Sequence, residues 1–348
     1  MSGTTGYISG IPPEMATVRV YLPTYRRATM LTRALASLRA QTFTDWICEV
    51  HNDCPGDQVP ARLVRANGDA RIQVIEHERN LGGTAVFNLF FQPSVEPFYT
   101  ILEDDNWWDP AFLSVMLVTA ATHPDITVFW ANMHVSEEMP DGEFRTTGRT
   151  IWQTAGAPAL RRYTWGQQQQ VGGALHSNGA ALFRIRPGDD FCIPAVPFAV
   201  IEPFRERKFP HPLLLVTRPL ATYSITRQTA RSRDASEWAE MQAMLVATFF
   251  AGCPWSETQV AQYWSNARKQ FPTGTTNLIL AALADPAARP LLRHAHLRDW
   301  WVVLRGFLRR PGLYFRLRRS RHVHADWWQF LEKHTAVRWS ESDEAALP

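Results

Sequence analysis

The stretch FYTILEDDNWWDP, residues 98–110, joins an apolar, strand-like run to three consecutive acidic residues. The carboxylates of Glu103, Asp104 and Asp105 repel one another and are costly to bury unless a positive group lies among them. Hard divalent cations prefer such oxygen ligands. The stretch therefore predicts either a metal-binding strand end or, as the alternative, an acidic turn that caps the helix beginning near Pro110.

Strand-like and helix-like segments alternate around this stretch. Apolar periodicity and β-branched residues predict strands at 17–23, 46–53, 71–77, 98–103 and 126–135. Helical spacing of apolar residues predicts helices at 30–42, 84–92 and 110–123. The alternation indicates βαβ units and a mostly parallel sheet, whose ligands bind at the carboxyl ends of the strands. Asp53 and the acidic cluster are therefore expected to meet in one crevice.

The rest of the chain divides at a change of pattern. Residues 142–170 look irregular, 179–185 and 211–225 return to strand character, and the region after Asp234 reads as helical, most clearly at 235–250 and 257–271. We therefore predict an α/β domain over 17–230, a short segment 1–16 before it, and a mainly helical region over 231–348.

The composition is that of an ordinary globular protein. The 348 residues include 45% hydrophobic and 20% charged side chains, with a formal net charge of +3, as in ordinary globular proteins. The four cysteines show no metal-binding spacing, which favours a reducing, cytoplasmic setting. Neither a signal peptide nor a transmembrane segment is predicted.

Three further loops follow or precede predicted strand ends. In LPTYRR (22–27), Thr24 and Tyr25 are candidates for contact with a base or ribose, and Arg26 or Arg27 with a phosphate. In HNDCPGD (51–57), Asp53 can accept hydrogen bonds from a base or a ribose. In NLGGTAVFN (80–88), the two glycines permit close backbone approach to a ligand. Each motif taken alone is equally compatible with a plain turn.

Taken together, the order PTYRR, HNDCPGD, NLGGTAVFN and LEDDNWWDP resembles glycosyltransferase family 2, closely over 17–135 and loosely to about 228. The resemblance implies a GT-A fold, a Rossmann-like and mostly parallel sheet flanked by helices, with 17–135 as the nucleotide-sugar half and 136–230 as the acceptor half. It implies sugar transfer from a UDP-, GDP- or dTDP-linked donor, with inversion and with Mn²⁺ or Mg²⁺ bound. By position, the resemblance implies that Asp105 binds the metal. The implied nucleotide-sugar contacts are Pro23, Thr24, Tyr25, Arg27, Asp53, Asn80, Gly82 and Asp104.

The family also uses an acidic general base shortly before a PLxxY-like strand, here RPLATYSITRQ. Glu202 in FAVIEPFRERKF fits this position, and Asp190 in RPGDDF is its competitor. A salt bridge with a neighbouring arginine is the alternative role for Glu202. Trp107, Trp108 and Asn178 are candidate acceptor contacts, although aromatic side chains mostly serve as core residues.

The sequence departs from the family pattern at four positions. Asn52 stands where an aspartate is usual, Arg26 where asparagine is usual, Phe87 where arginine is common, and Glu103 in place of an aspartate. The departures leave the proposed donor and metal carboxylates in place but remove any basis for naming the sugar.

Residues 293–321 carry nine arginines and a single acid, Asp299. Arginine combined with tryptophan and phenylalanine on an amphipathic segment suits an anionic membrane surface, and a helical cap on the catalytic domain is the alternative. No nucleic-acid partner is expected. The sequence thus predicts a cytoplasmic enzyme, peripheral on the inner membrane if this segment binds lipid, that builds surface glycans on a glycan or lipid-linked acceptor. A nucleotidyltransferase and a non-catalytic carbohydrate-binding or scaffold protein are the competing hypotheses.

Overall fold

The computed structural model describes residues 18–92, 94–227, 234–253 and 255–345. They form two compact units, each built from several separate segments of the chain. The first unit contains the described residues through 163, together with 176–192 and 209–227. The second contains 164–175, 193–208 and the described residues from 234 onward. Two short segments within 17–230 therefore belong to the helical unit.

The strands of the described residues all join one sheet in the first unit. In chain order they are β1 (Val18–Thr24), β2 (Trp46–Asn52), β3 (Ile72–Glu76), β4 (Phe98–Ile101), β5 (Trp107–Trp108), β6 (Val128–Glu138), β7 (Phe144–Thr150), β8 (Leu160–Tyr163), β9 (Ala181–Arg184) and β10 (Leu213–Ile225).

The helices of the described residues occupy both units. In the first unit they are α1 (Ala28–Arg39), α2 (Val59–Asn67), α3 (Gly83–Phe90) and α4 (Phe112–Thr122). In the second unit they are α5 (Gln168–Gly172), α6 (Ile201–Glu206), α7 (Ala235–Gly252), α8 (Glu257–Lys269), α9 (Thr273–Ala284), α10 (Leu297–Arg309), α11 (Gly312–Val323) and α12 (Ala325–Ala345).

The sheet has a parallel half and a mixed half. Its order is β3-β2-β1-β4-β9-β6-β10-β5, and the first four strands are all parallel. Beyond β4 the sheet changes character, because β9 runs antiparallel to both β4 and β6. The α/β architecture with a central sheet and a helical C-terminal region is confirmed. The predicted mostly parallel arrangement holds only for β3, β2, β1 and β4. The rest of the sheet is mixed, since β6 and β10 are parallel but β5, β7, β8 and β9 all pair antiparallel to their neighbours.

The core of the first unit explains why its helices form where the spacing predicts them. The buried side of α1 carries Leu31, Ala34, Leu35 and Leu38, which recur at three- and four-residue intervals and pack with the strands β1 and β2. Burying each of these leucines contributes about 1.5–3 kcal/mol, which holds α1 across the sheet. The loop before α1 is thereby fixed above the carboxyl ends of the strands.

The second unit has its own apolar core, centred on α7 and α9. Ten consecutive residues of α7, 240–249, are buried, which explains the long apolar run in this part of the sequence. Three strands and one helix of the first unit are not predicted by the sequence analysis. The strand β5 is only two residues long, and β7 (FRTTGRT) and β8 (LRRY) are polar and largely exposed. The helix α2 is nine residues long, and Leu63 and Val64 pack partly buried against the core.

Candidate active site at the carboxyl ends of β1, β2 and β4

Thr24, the last residue of β1, joins the ends of the neighbouring strands. Its carbonyl oxygen accepts a hydrogen bond from the backbone N–H of Asp53 at 3.0 Å. Its hydroxyl donates to Oδ2 of Asp104 at 2.9 Å, and the side chain is buried. Two acidic residues about fifty positions apart are thus placed on either side of one threonine, as the strand-end argument predicts.

Arg27 is the positive group among the adjacent acids. Its Nη1 lies 3.2 Å from Oδ1 of Asp104 and 2.7 Å from Oδ2 of Asp105. Burial raises the pKa of Asp104 to about 6, an effect that the Arg27 charge opposes and the Asp105 charge reinforces. Asp104 is therefore mostly ionised at neutral pH and mostly protonated below pH 6. Asp105 is more open than Asp104, since its side chain keeps 20% of its surface exposed.

The main chain of the acidic loop is held independently of its carboxylates. Arg33 of α1 donates from Nη2 to the carbonyl oxygen of Asp105 at 2.7 Å, and the Ser224 hydroxyl donates to the same oxygen. The Arg33 guanidinium lies between the rings of Trp107 and Phe144, 4.0 and 3.8 Å from their centroids. Trp107 thus covers the arginine that fixes the loop. Arg33 and Ser224 belong to no recognisable motif, so the sequence analysis did not identify them.

Glu103 turns away from Arg27 and toward the segment before β9. Its Oε2 accepts a hydrogen bond from Nδ2 of Asn106 at 2.8 Å. A Cβ atom on Gly179 would lie only 2.6 Å from this same carboxylate oxygen, so a larger residue here would have to displace the Glu103 side chain. Trp108 donates from Nε1 to the Gly179 carbonyl at 2.8 Å and stacks on Phe112 in the core. Asn178, beside Gly179, is also buried.

Asp53 organises the loop that leads into α3. Its carboxylate accepts hydrogen bonds from the backbone N–H groups of Leu81 at 2.7 Å and Gly82 at 3.0 Å. Nδ2 of Asn80 donates to the Asp53 carbonyl at 2.9 Å and to Oδ2 at 3.2 Å. Gly82 has φ +80°, a conformation that other residues rarely adopt. The predicted donor residues of β2 and of the glycine loop are thereby brought together.

The loop between β1 and α1 presents Tyr25 and Arg26 to solvent. The Tyr25 side chain is 44% exposed, whereas Pro23 is paired within β1. Arg26 has φ +56°, and its Nε lies 3.3 Å from Sγ of Cys54. Asparagine tolerates this left-handed backbone better than other non-glycine residues do, which gives a physical reason for the asparagine that the family pattern places here.

Neither candidate for the general base lies among these contacts. Asp190 follows β9, which is antiparallel to β4, so the chain leaves the sheet beside the amino end of β4. Cys192, two residues later, contacts Gln92 near the end of α3, at the edge opposite Asp104 and Asp105. Glu202 lies in the second unit, half-buried in the first turn of α6.

Asn52 fixes the turn that carries Asp53. It is fully buried, and its Nδ2 donates to the Asp57 carbonyl at 2.8 Å and to Oε2 of Glu76 at 2.7 Å. Its Oδ1 accepts from the backbone N–H of Cys54 at 3.1 Å. An aspartate at position 52 has no proton to donate to Glu76, so the asparagine is the residue that suits this neighbour.

We expect Asn52→Asp to lower the free energy of unfolding by about 3 kcal/mol at neutral pH, since it removes two donated hydrogen bonds and sets two carboxylates side by side. The repulsion raises the pKa of the introduced group in the folded state, so the loss shrinks as pH falls and the group is protonated. Urea unfolding across pH measures this. Adding Glu76→Gln supplies a new donor and is expected to restore part of the stability. A double variant no more stable than the single one contradicts the assignment.

The acidic loop fits a cation bound jointly with a ligand. Among the described residues, no group of three or more His, Cys, Asp or Glu side chains is arranged to hold a metal ion. The oxygens of Asp105 are nevertheless the hard donors that Mg²⁺ or Mn²⁺ prefers, and such ions commonly bind one or two carboxylates plus substrate phosphates. Arg27 shows that a positive charge is stable beside Asp105.

Part of the chain matches a known family of proteins. Residues 19–174 match the family described as glycosyl transferase family 2. Over 127 residues the chain is 28% identical to a putative colanic acid biosynthesis glycosyl transferase, WcaA, of Escherichia coli K12, covering 36% of this chain and 44% of that protein. Over 139 residues it is 29% identical to the putative glycosyltransferase EpsH of Bacillus subtilis, covering 40% and 38%. The chain thus spans less than half the length of these relatives.

The fold is also that of solved structures. Residues 1–349 of S. aureus TarS in complex with UDP-GlcNAc align over 95% of this chain and 91% of that one, with a TM-score of 0.55 and 13% identity. The same TarS fragment with UDP gives a TM-score of 0.53. This likeness confirms the GT-A fold expected from the resemblance.

Proposed function

We propose, from the match of residues 19–174 to glycosyl transferase family 2, that the protein transfers a sugar from a nucleotide-diphosphate donor to a glycan or lipid-linked glycan. The proposal includes inversion at the anomeric carbon and a role in surface polysaccharide synthesis. The single observation that carries it is Thr24, which links Asp53 on one side to Asp104 on the other, with Asp105 adjacent. A nucleotide that spans these residues would place its base near Asp53 and its diphosphate near Asp105.

Asp53 would both hold the glycine loop in place and accept a hydrogen bond from the base or ribose. Its carboxylate holds the Leu81–Gly82 backbone, and Oδ1, which accepts from Leu81, has a second lone pair that can accept a hydrogen bond from the nucleotide. Asn80 and Gly82 form the adjoining wall, and Tyr25 lies exposed at the other side of the turn. Thr24 and Asp104 would then face the ribose.

Asp105 would hold Mn²⁺ or Mg²⁺ together with the diphosphate, and the bound ion would supply positive charge to the departing nucleotide. Arg27 pairs with both Asp104 and Asp105 and offsets part of their negative charge. When a donor binds, the same guanidinium would pair with a phosphate oxygen, since arginine binds carboxylates and phosphates with similar geometry. Arg27 would thus reduce the repulsion within the acidic loop between donor-binding events.

Glu202 is proposed as the general base, with Asp190 as the competitor. The geometry of the sheet favours Glu202 only indirectly, because Asp190 lies beyond the end of β9 at the edge remote from Asp105. Trp107 and Asn178 remain proposed acceptor neighbours through their positions beside the acidic loop. The buried ring of Trp108 supports a packing role more than a sugar contact.

Thermal unfolding in the presence of nucleotides tests the donor site. We expect UDP, GDP or dTDP to raise the melting temperature only when Mn²⁺ or Mg²⁺ is present, because a ligand at one hundred times its Kd adds about 2.7 kcal/mol of stability. EDTA should reverse the effect, and Mn²⁺ without nucleotide is the control. If none of the three nucleotides stabilises the protein with either metal, the proposed donor site is refuted. Metal-independent stabilisation refutes the role of Asp105 alone.

A further inference from the structure

The helix α10 carries an apolar face that no described part of the chain covers. On a helical projection, five apolar side chains fall on one side of α10, spaced at positions 1, 4, 5, 8 and 12 of the helix. The opposite side, with Asp299 and Val303, packs into the second unit. The exposed fractions of the outward side chains are Leu297 89%, Trp300 37%, Trp301 62%, Leu304 49% and Leu308 72%.

Arginines border this apolar face along one side. Arg298, Arg305 and Arg309 follow one another at helical spacing, directly beside the apolar residues, and all three are exposed. The next helix adds Arg318 and Arg319 beside an exposed Phe315 on its outer side. The single acid of residues 293–321, Asp299, is buried, and Arg268 neutralises it at 3.2 Å. The surface is therefore both apolar and uniformly positive.

Most of these arginines form no ion pair within the fold. Arg305, Arg309, Arg318 and Arg319 form no ion pair with any residue that the structure describes, unlike Arg316 and Arg321 of α11, which pair with Glu240 and Asp285. The inner side of α11 thus uses its arginines for ion pairs, while the outer sides of α10 and α11 leave theirs to solvent. An unpaired basic row beside exposed tryptophan and leucine is the pattern of helices that lie in a lipid interface.

We propose that the outer face of α10, extended by Phe315, Arg318 and Arg319 of α11, docks on the surface of an anionic lipid bilayer. The apolar side chains would enter the boundary between headgroups and acyl chains, and the arginines would pair with lipid phosphates. Because the exposed apolar side chains lie along one side of α10, the helix would lie in the plane of the membrane. Among the described residues, no helix is both long and apolar enough to span a bilayer. The inference extends the proposed function by favouring the lipid-linked class of acceptor.

Vesicle co-sedimentation of the full chain tests this surface. We expect binding to phosphatidylcholine vesicles that contain phosphatidylglycerol and little binding to phosphatidylcholine alone, with the difference reduced as NaCl is raised. Arg305→Glu with Arg309→Glu should weaken binding to anionic vesicles about tenfold or more. Trp301→Ser with Leu308→Ser should weaken it by a similar factor, because these side chains supply buried apolar area.

Matched changes elsewhere serve as controls. Trp238→Ser replaces a tryptophan that is 46% exposed on α7, and Arg62→Glu reverses an exposed charge on α2. Both should leave vesicle binding unchanged. Failure to bind anionic vesicles, or equal binding to both lipids, overturns the inference. So does a dimer in sedimentation equilibrium that dissociates on Trp301→Ser with Leu308→Ser, since the face would then join two copies of the chain.

The same variants separate this inference from the donor-site proposal. None of the four substitutions on α10 touches the contacts of Thr24, Asp53 or Asp105, so nucleotide- and metal-dependent thermal stabilisation should persist in all of them. Loss of vesicle binding with retained nucleotide binding supports the membrane surface. Normal vesicle binding by a protein that no nucleotide stabilises leaves the surface intact and refutes the donor site.

Discussion

Asp105→Ala is expected to lower turnover about a thousandfold while leaving the fold nearly intact. The side chain of Asp105 is more open than that of Asp104 and contacts Arg27. Its removal would leave the diphosphate without the cation that this residue is proposed to bind. The loop itself should keep its shape, because Arg33 and Ser224 hold the main-chain oxygen of residue 105 and not its carboxylate.

The readout for Asp105→Ala combines turnover with metal dependence. Hydrolysis or transfer of a radiolabelled nucleotide sugar measures activity, and thermal unfolding with nucleotide and Mn²⁺ measures donor binding. Metal-dependent stabilisation should disappear, while the melting temperature without ligand should change little, since Arg27 keeps its contact with Asp104. Metal-dependent stabilisation equal to that of the wild type would show that another group holds the ion.

Glu103→Gln is the matched control in the same loop. Glu103 is one residue from Asp104 but faces Asn106 and Gly179, away from Arg27. A glutamine oxygen can still accept the hydrogen bond from Asn106, so turnover should stay within about tenfold of the wild type. A loss as large as that of Asp105→Ala would mean that the acidic cluster acts as a whole and that the two roles assigned here are not distinct.

Glu202→Gln is expected to lower turnover at least about a hundredfold without weakening nucleotide binding, as removal of a general base does. Glu202 lies in the first turn of α6 between the buried Ile201 and Pro203. The other acid of this helix, Glu206, is committed to structure. Its buried carboxylate accepts hydrogen bonds from the Leu175 backbone at 2.8 Å and from the Gln170 side chain at 2.8 Å.

Two controls test whether Glu202 has a chemical role and whether Asp190 has that role instead. Glu206→Gln should lower the melting temperature more than Glu202→Gln does, because the Glu206 carboxylate is buried, whereas only Glu202→Gln should abolish turnover at an unchanged level of nucleotide binding. Asp190→Asn should retain activity, because Asp190 caps a turn through the Cys192 N–H at the remote edge of the sheet. Activity that survives in Glu202→Gln and is lost in Asp190→Asn would transfer the role of base to Asp190.

The convergence of Thr24, Asp53 and Asp104 could be predicted because it depends on local patterns. Period-two and period-3.6 apolar spacing located β1, β2, β4 and α1, and the rule that ligands bind at carboxyl ends of parallel strands brought Asp53 to Asp104. These are properties of short segments that twist and pack in one way. The strands β7 and β8 were not predicted because their side chains are mostly polar and exposed, so they show no apolar period of two.

The sequence by itself determined that acidic residues end a buried strand beside a second acid and a glycine loop, because hydrophobic period and chain order suffice for that. Only the tertiary structure decided which cation neutralises them, that Glu103 turns toward Gly179, and that Asp190 leaves at the far edge. Those facts depend on Arg27 reaching residues 77 and 78 positions away, and on β9 running against β4. Strand direction and long-range pairing arise from packing of the whole sheet, and no local pattern encodes them.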